Sequence, residues 1–132
     1  MHVIQRSSVY ETEPQDLRHQ AWFLNLVVQT ETTLFPRQLL HRLQRIEREL
    51  GRKRTVAKEP RTIDIDILLF GRFVVRTAQL EVPHPRMHLR RFVLAPLGEI
   101  APDVRHPVVR KTARELLAGL SGQEVRRTEI AL

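Results

Sequence analysis

The sequence predicts an α+β fold in which helices pack on an antiparallel sheet. Two features predict this class. Segments with the two-residue alternation of β-strands occur as hairpin-like neighbours and not in strict β-α-β succession. Segments with apolar residues three and four apart, the spacing of amphipathic helices, lie in the middle and in the last third of the chain. The 132 residues are one domain's length and contain no repeats or interior linker, so a single domain over residues 1–132 is expected.

Two strands are predicted first. They lie at residues 2–12 and 22–32, and a polar loop with Pro14 joins them. Both strands are rich in β-branched and aromatic residues, which favour the pleated backbone. In the second strand, alternation places Phe23, Asn25 and Val27 on one face.

A helix is predicted at residues 36–50. Pro36 occupies a first-turn position and Gly51 follows the last apolar residue, which are typical start and stop signals. The apolar stripe consists of Leu39, Leu40, Leu43, Ile46 and Leu50. Gln44 and Glu47 are three residues apart, so they are neighbours on the helix surface.

The second half is expected to alternate between short elements and irregular backbone. The predicted segments are a basic loop at 51–61, a strand at 59–70, a short strand or hairpin at 73–82, irregular backbone at 82–88, a short helix at 90–100 that Pro96 interrupts, a helix at 112–120 with Thr112 as its cap, and a tail that frays or adds an edge strand. These assignments complete the predicted α+β class.

The composition excludes several classes of protein. No cysteine is present, which excludes disulfides, thiolate nucleophiles and cysteine zinc sites. No run of 18 apolar residues and no signal-like start are present, so we expect no membrane contact and a soluble cytoplasmic protein.

The positive charge is concentrated in one segment. The formal net charge is +7. Residues 37–61 contain nine Lys or Arg and three Glu, whereas the rest of the chain contains 13 basic and 12 acidic residues. A local excess of this kind indicates an anionic partner, although a solvated basic surface is the simpler interpretation of a charge run alone.

An apolar segment beside this basic region carries two acids. The sequence EPRTIDIDILLF at residues 59–70 reads as a strand in which Asp64 and Asp66 share a face, with α-carbons about 6.6–6.8 Å apart. Two unpaired carboxylates at that spacing would repel each other, so a cation is expected over them. An arginine-rich loop next to acids is the arrangement expected around a metal-bound polyphosphate.

Five stretches together resemble one enzyme family. They are SSVYETEP, FLN, QRIERELGRKR, PRTIDIDILLFG and VPHPRMHLRRFVLAPLGEIAP. In this order they resemble the 6-hydroxymethyl-7,8-dihydropterin pyrophosphokinases, which transfer pyrophosphate from ATP to a pterin alcohol in folate biosynthesis. An acid pair alone is a weak signal, but the Pro-Arg before it and the VPHP after it make the match specific. The resemblance implies a ferredoxin-like antiparallel sheet with helices packed on it.

The resemblance implies roles for the residues that match the family's motifs. Two Mg²⁺ ions would be held by Asp64 and Asp66, and these acids together with Arg52 and Arg61 would form the catalytic group. The nucleotide would be bound by Gln44, Glu47, Arg54, Ile67, His84 and Arg90. The pterin would be bound by Thr12, Phe23, Asn25 and Phe92, since a flat ring with an amide edge needs stacking faces and a polar reader.

Some expectations remain open at the level of sequence. The chain begins without the family's first strand and helix, so an N-terminally incomplete domain is expected. The family implies a monomer, and the absent strand leaves self-association open. Two alternatives to the enzyme are a truncated, inactive relative and a basic nucleic-acid-binding module. The second leaves the acid pair unexplained and offers only 5% aromatic residues for base stacking, so we expect no nucleic-acid partner.

Overall fold

A computed structural model describes residues 1–13, 22–52 and 63–131, with the backbone alone for Arg52. The described residues form two compact units. The first, unit 1, contains Met1–Thr32 and Pro85–Leu132, and the second, unit 2, contains Thr33–His84.

Unit 1 contains two small antiparallel sheets. Strand β1 (His2–Arg6) pairs with β4 (Val28–Glu31), and β2 (Tyr10–Thr12) lies between β3 (Phe23–Asn25) and β7 (Val125–Arg127). The tail therefore supplies an edge strand, one of the two outcomes expected for it. Each of the two long strands predicted from the sequence is divided in two.

The division has a physical cause at Ser7 and Val27. The Ser7 N–H donates to the Val27 carbonyl at 2.8 Å, and the Val27 N–H donates to the Ser7 hydroxyl at 2.9 Å. A side chain thus takes one place in the strand ladder, and both chain segments pass from one sheet to the other at this point. Alternation alone could not show this break.

The helices of unit 1 pack together against its three-stranded sheet. Helix α2 (Arg91–Ile100) contacts α3 (Ala113–Ala118), a 3₁₀ turn (Met87–Leu89), β2 and β7. The predicted cap of α3 is confirmed, because the Thr112 hydroxyl accepts the Glu115 N–H at 3.1 Å and the Glu115 carboxylate accepts the Thr112 N–H at 2.9 Å. This reciprocal pair is a capping box.

The predicted interruption of α2 at Pro96 is wrong. The helix continues through Pro96, whose side chain is fully buried with Met87 and Leu94. A proline inside a helix ordinarily costs a hydrogen bond and about 3 kcal/mol. In this case burial of the ring offsets part of that cost.

Unit 2 contains the predicted long helix and a hairpin. Helix α1 (Pro36–Arg52) has Leu39 and Leu43 buried, as its apolar stripe predicts. Strands β5 (Val75–Arg76) and β6 (Glu81–Val82) form an antiparallel hairpin, one of the two outcomes expected for residues 73–82.

The strand predicted at residues 59–70 is not present in the part of it that the structure describes. Residues 63–70 belong to no strand, and residues 59–62 lie outside the described ranges. The Ile65 N–H donates to the Glu47 carboxylate at 2.6 Å, and the Leu68 carbonyl accepts the His84 N–H at 2.8 Å. Because a side chain of α1 occupies one of these backbone groups, no continuous ladder forms here.

The α+β class is confirmed, and every strand pair in the described residues is antiparallel. The strands are spread over three small sheets where the sequence led us to expect one. Among the helices of the described ranges, none has both the length and the apolar character needed to cross a membrane.

A buried histidine makes unit 1 sensitive to acid. His106 is only 5% exposed, and its Nδ1 accepts the N–H groups of Val108 and Val109 at 3.2 and 3.0 Å. The neutral ring therefore carries its proton on Nε2. Burial lowers the pKa of His106 below its ordinary 6.5, and the His88 ring, 5.6 Å away between centroids, lowers it further.

We predict that the free energy of unfolding is highest above pH 6.5 and falls as the pH drops below that value. The unfolded chain binds a proton at His106 more readily than the folded chain does, so acid favours unfolding. Urea unfolding at pH 7.5 and 5.5 measures the loss. In His106→Asn, which keeps an acceptor but does not titrate, the pH dependence should be weaker. Equal pH slopes in the two proteins would contradict the assignment.

Candidate functional site

One face of the β3–β2–β7 sheet gathers residues predicted to bind the pterin. In the strand register Thr12 lies opposite Phe23, and Tyr10 lies opposite Asn25. Directly opposed residues of an antiparallel pair point to the same side, so these four side chains share a face. Arg127 of β7, opposite Tyr10, shares it as well.

The Asn25 amide is held at both ends. Its Nδ2 donates to the backbone carbonyl of Phe92 at 2.6 Å, and its Oδ1 accepts from the Thr12 hydroxyl at 3.0 Å. Thr12 is buried and Asn25 is half-buried. An amide in an apolar strand requires partners, and these two provide them. Within the described residues, one N–H and one acceptor lone pair of the amide have no further partner and could serve a ligand.

Aromatic rings lie on the same two elements. Phe23 is 56% exposed on β3, on the same face as Asn25. Phe92 is half-buried on α2, and the Arg90 guanidinium lies 5.4 Å from the centre of its ring. Unit 1 therefore combines the Asn25 amide, the exposed Phe23 ring and the Phe92 ring, which has a cation–π contact with Arg90.

A carboxylate network that sequence reasoning missed fixes α2 against this sheet. The Glu99 carboxylate accepts the Tyr10 hydroxyl at 2.8 Å, the Ser8 hydroxyl at 3.0 Å and the Ser8 N–H at 3.1 Å. Arg127 lies 3.4 Å from the same carboxylate, and its Nε donates to the Ser8 hydroxyl at 2.8 Å. A buried tyrosine hydroxyl usually has a hydrogen-bond partner, but nothing near Tyr10 in the sequence indicates one 89 residues away.

Burial, hydrogen bonds and neighbouring charges shift the pKa values of Tyr10 and Glu99. Burial raises the pKa of Tyr10 to about 12, and the hydrogen bond to Glu99 and the charge of Glu99 act in the same direction. Burial also tends to raise the pKa of Glu99, but hydrogen bonds from Tyr10 and Ser8 and the charge of Arg127 outweigh it, so the pKa is lowered. The carboxylate is therefore ionised and the phenol protonated at neutral pH.

In unit 2 the acid pair lies within a segment that α1 holds. The Glu47 carboxylate accepts the N–H of Ile65, the residue between the two aspartates. Asp64 and Asp66 are both exposed, while Ile65 and Ile67 are half-buried. This alternation of exposure agrees with two acids facing solvent. Glu47 is thus engaged by backbone, whereas Gln44, also on α1, is exposed.

The acid pair suits a hard divalent cation. Among residues 1–13, 22–52 and 63–131, no group of three or more His, Cys, Asp or Glu side chains could hold a metal. A metal ion bound by two carboxylates would have most of its coordination positions filled by other oxygen atoms. Mg²⁺ is usually bound this way, by one or two carboxylates with substrate phosphates and water. The donors present therefore fit Mg²⁺.

Part of the predicted phosphate-binding loop lies outside the described residues. Arg54 and Arg61 lie outside the described residues, and Arg52 ends α1 with its side chain undescribed. His84 is half-buried, and its N–H is bonded to the Leu68 carbonyl.

Another part of the basic segment forms an exposed surface on α1. A shallow cleft of about 300 Å³ is lined by Leu34, Gln38, His41, Arg42, Arg45 and Arg48. At about 100° per residue, Arg45 points roughly opposite to Glu47 around the helix. The cleft therefore lies on the side of α1 away from the Ile65 contact.

The fold is α+β, with an amide and two aromatic rings grouped in unit 1 and an exposed acid pair in unit 2. Residues 1–102 match the 7,8-dihydro-6-hydroxymethylpterin-pyrophosphokinase (HPPK) family. The chain belongs to this family, which confirms the resemblance read from its sequence.

Individual relatives agree with the family match. A 2-amino-4-hydroxy-6-hydroxymethyldihydropteridine pyrophosphokinase of Bacillus subtilis is 56% identical over 98 residues, which cover 74% of this chain and 59% of the relative. A protein of the same name from Aquifex aeolicus is 45% identical over 109 residues, 83% of this chain and 68% of the relative. A folic acid synthesis protein, fol1, of Pneumocystis carinii is 45% identical over 80% of this chain and 14% of its own length. The chain thus spans less than two thirds of two of these three relatives, 59% of one and 14% of the other.

We predict that Glu99→Gln lowers the free energy of unfolding by roughly 1–3 kcal/mol. The amide keeps one acceptor oxygen but cannot accept at its nitrogen, so a Ser8 or Tyr10 donor loses its partner. Urea unfolding measures the change. Glu124→Gln, at an exposed position, is the control and should change stability by less than about 0.5 kcal/mol. Equal effects of the two changes would show that the network contributes nothing special.

Proposed function

We propose that this protein transfers pyrophosphate from ATP to 6-hydroxymethyl-7,8-dihydropterin, giving the pterin diphosphate and AMP. Membership of the family supports the reaction class. The observation that carries the proposal for this chain is the Asn25 amide, held by Thr12 and the Phe92 carbonyl beside an exposed ring. That arrangement suits a ligand with a flat ring and an amide edge.

In this proposal the pterin is read by unit 1. The free N–H and lone pair of Asn25 would pair with the donor and acceptor groups on the pterin edge. Phe23 and Phe92 would provide stacking faces. Because Asn25 is fixed at both ends, little conformational entropy is lost when it binds the ligand.

The nucleotide would be bound through residues of unit 2. Asp64 and Asp66 would hold Mg²⁺, with two ions expected. When bound, Mg²⁺ would neutralise the triphosphate and stabilise charge on the departing AMP. Gln44, Glu47, Ile67 and His84 are the remaining nucleotide contacts proposed in unit 2. The carboxylate of Glu47 would act through the backbone of residue 65, since it is engaged there.

The proposed reaction requires little covalent chemistry from the protein. The pterin hydroxymethyl oxygen forms a bond to the β-phosphorus of ATP. The bond from that phosphorus to the bridging oxygen of the α-phosphate breaks, and AMP leaves with the electron pair. The hydroxyl proton passes to solvent. Holding the reactants in line and compensating their charge therefore carries most of the rate.

We expect the full chain, given Mg²⁺, ATP and 6-hydroxymethyl-7,8-dihydropterin, to release AMP. Attack at the β-phosphorus requires AMP as the leaving group, whereas an ordinary kinase would release ADP. Nucleotide products separated by anion-exchange chromatography decide between them. No turnover would favour the truncated, inactive relative, and ADP as product would exclude the proposed reaction.

We predict that Asp66→Ala weakens Mg²⁺-dependent ATP binding by roughly tenfold or more. The variant loses one of the two carboxylates proposed for the metal. Titration calorimetry with and without Mg²⁺ measures the effect. Glu81→Ala removes another exposed carboxylate of unit 2 and should leave binding unchanged. Unaltered Mg-ATP affinity in Asp66→Ala would argue strongly against the metal assignment.

A further inference from the structure

Pro96 leaves one carbonyl of α2 without its helical partner. In an α-helix the carbonyl of residue 92 accepts the N–H of residue 96. Proline has no N–H, so the Phe92 carbonyl has no donor at that position. Pro96 is the sixth residue of a helix that does not break, and its ring is fully buried.

The Asn25 side chain takes that place. Its Nδ2 lies 2.6 Å from the Phe92 carbonyl, a short hydrogen bond across 67 residues of sequence. A carbonyl can only accept a hydrogen bond, so the nitrogen end of the amide must face α2. The oxygen end must then face Thr12, whose hydroxyl lies 3.0 Å away. The Phe92 carbonyl therefore determines which way round the amide sits.

We propose that Pro96 is a positioning residue for ligand recognition, because it reserves the Phe92 carbonyl for Asn25 and so fixes the order of donor and acceptor that the amide presents. The inference rests on the proposed function, in which Asn25 reads the pterin edge. A residue with an N–H at position 96 supplies the Phe92 carbonyl with a second donor. The helical N–H and the Asn25 amide then share one oxygen, which weakens the bond to Asn25 and leaves the amide free to loosen or turn over.

A purely structural role for Pro96 predicts a different outcome. A buried ring that only fills space would affect stability, with ligand affinity following the fraction of folded protein. The positioning role separates the two quantities. Pro96→Ala restores a helical hydrogen bond and removes an unfavourable helix residue, so thermal stability should stay level or rise. Pterin affinity should fall at the same time.

The experiment uses the full chain, and the probe is 6-hydroxymethylpterin titrated by calorimetry. In Pro96→Ala we expect the affinity for 6-hydroxymethylpterin to fall roughly three- to tenfold. A loss of that size corresponds to about one hydrogen bond. The KM for the dihydropterin should rise by a similar factor, while kcat and the KM for ATP change by less than twofold. Pro102→Ala is the matched control, since it removes a proline after the end of α2 and should leave pterin affinity unchanged.

A double-mutant cycle tests the route through Asn25. In an Asn25→Ala background, Pro96→Ala should have no further effect on pterin affinity, because the side chain it acts through is gone. Equal losses with and without Asn25 would overturn the proposal, as would unchanged affinity in Pro96→Ala. If Pro96→Ala lowers the melting temperature, Pro96→Val restores volume together with the N–H and is compared in the same way.

The two proposals fail in different ways. If the wild-type chain neither binds 6-hydroxymethylpterin nor turns over the dihydropterin, the proposed function is wrong, and the role of Pro96 is overturned with it. If the wild-type chain binds and Pro96→Ala and Pro96→Val bind equally well, only the inference about Pro96 is wrong.

Discussion

The Glu99 carboxylate is the interaction on which unit 1 depends. It joins the end of α2 to β2 through Tyr10 and Ser8, and to β7 through Arg127. These elements are far apart in sequence and short, so little in their own propensities would hold them in register. A partly buried, ionised acceptor with several donors supplies the specificity that three-residue strands lack. The face that carries Thr12 and Asn25 is positioned as a consequence.

The groups of unit 1 that are proposed to bind the pterin are already held by contacts within the chain. Asn25 is bonded at both ends, and the Phe92 ring is already covered by the Arg90 guanidinium. Such an arrangement suits an enzyme whose chemistry is mainly alignment, because freedom lost on folding need not be lost again on binding.

The sequence predicted features whose causes are local. The apolar spacing of α1 and the Thr112 cap of α3 follow from neighbours within one turn, and both were predicted correctly. The strand at 59–70 was predicted from alternation, but a ladder needs a partner strand, and Glu47 occupies the Ile65 N–H instead. Pro96 was expected to interrupt α2, because proline has no N–H to donate. The helix continues, and the Asn25 side chain, distant in sequence, donates to the Phe92 carbonyl that Pro96 leaves without a helical partner. The Glu99 network could not be predicted, because its members meet only after folding.

The arginines that line the cleft on α1 produce an electrostatic effect that needs no direct contact with a ligand. Arg42, Arg45 and Arg48 form no ion pair with any residue in the described ranges, and the chain carries a formal charge of +7. Such a surface produces a positive potential that extends about one Debye length, ~8 Å at physiological ionic strength. Anionic molecules diffuse into that field faster than neutral ones, and added electrolyte removes the advantage. On the proposed function, these arginines would raise the rate at which an anionic nucleotide meets the protein without having to contact it.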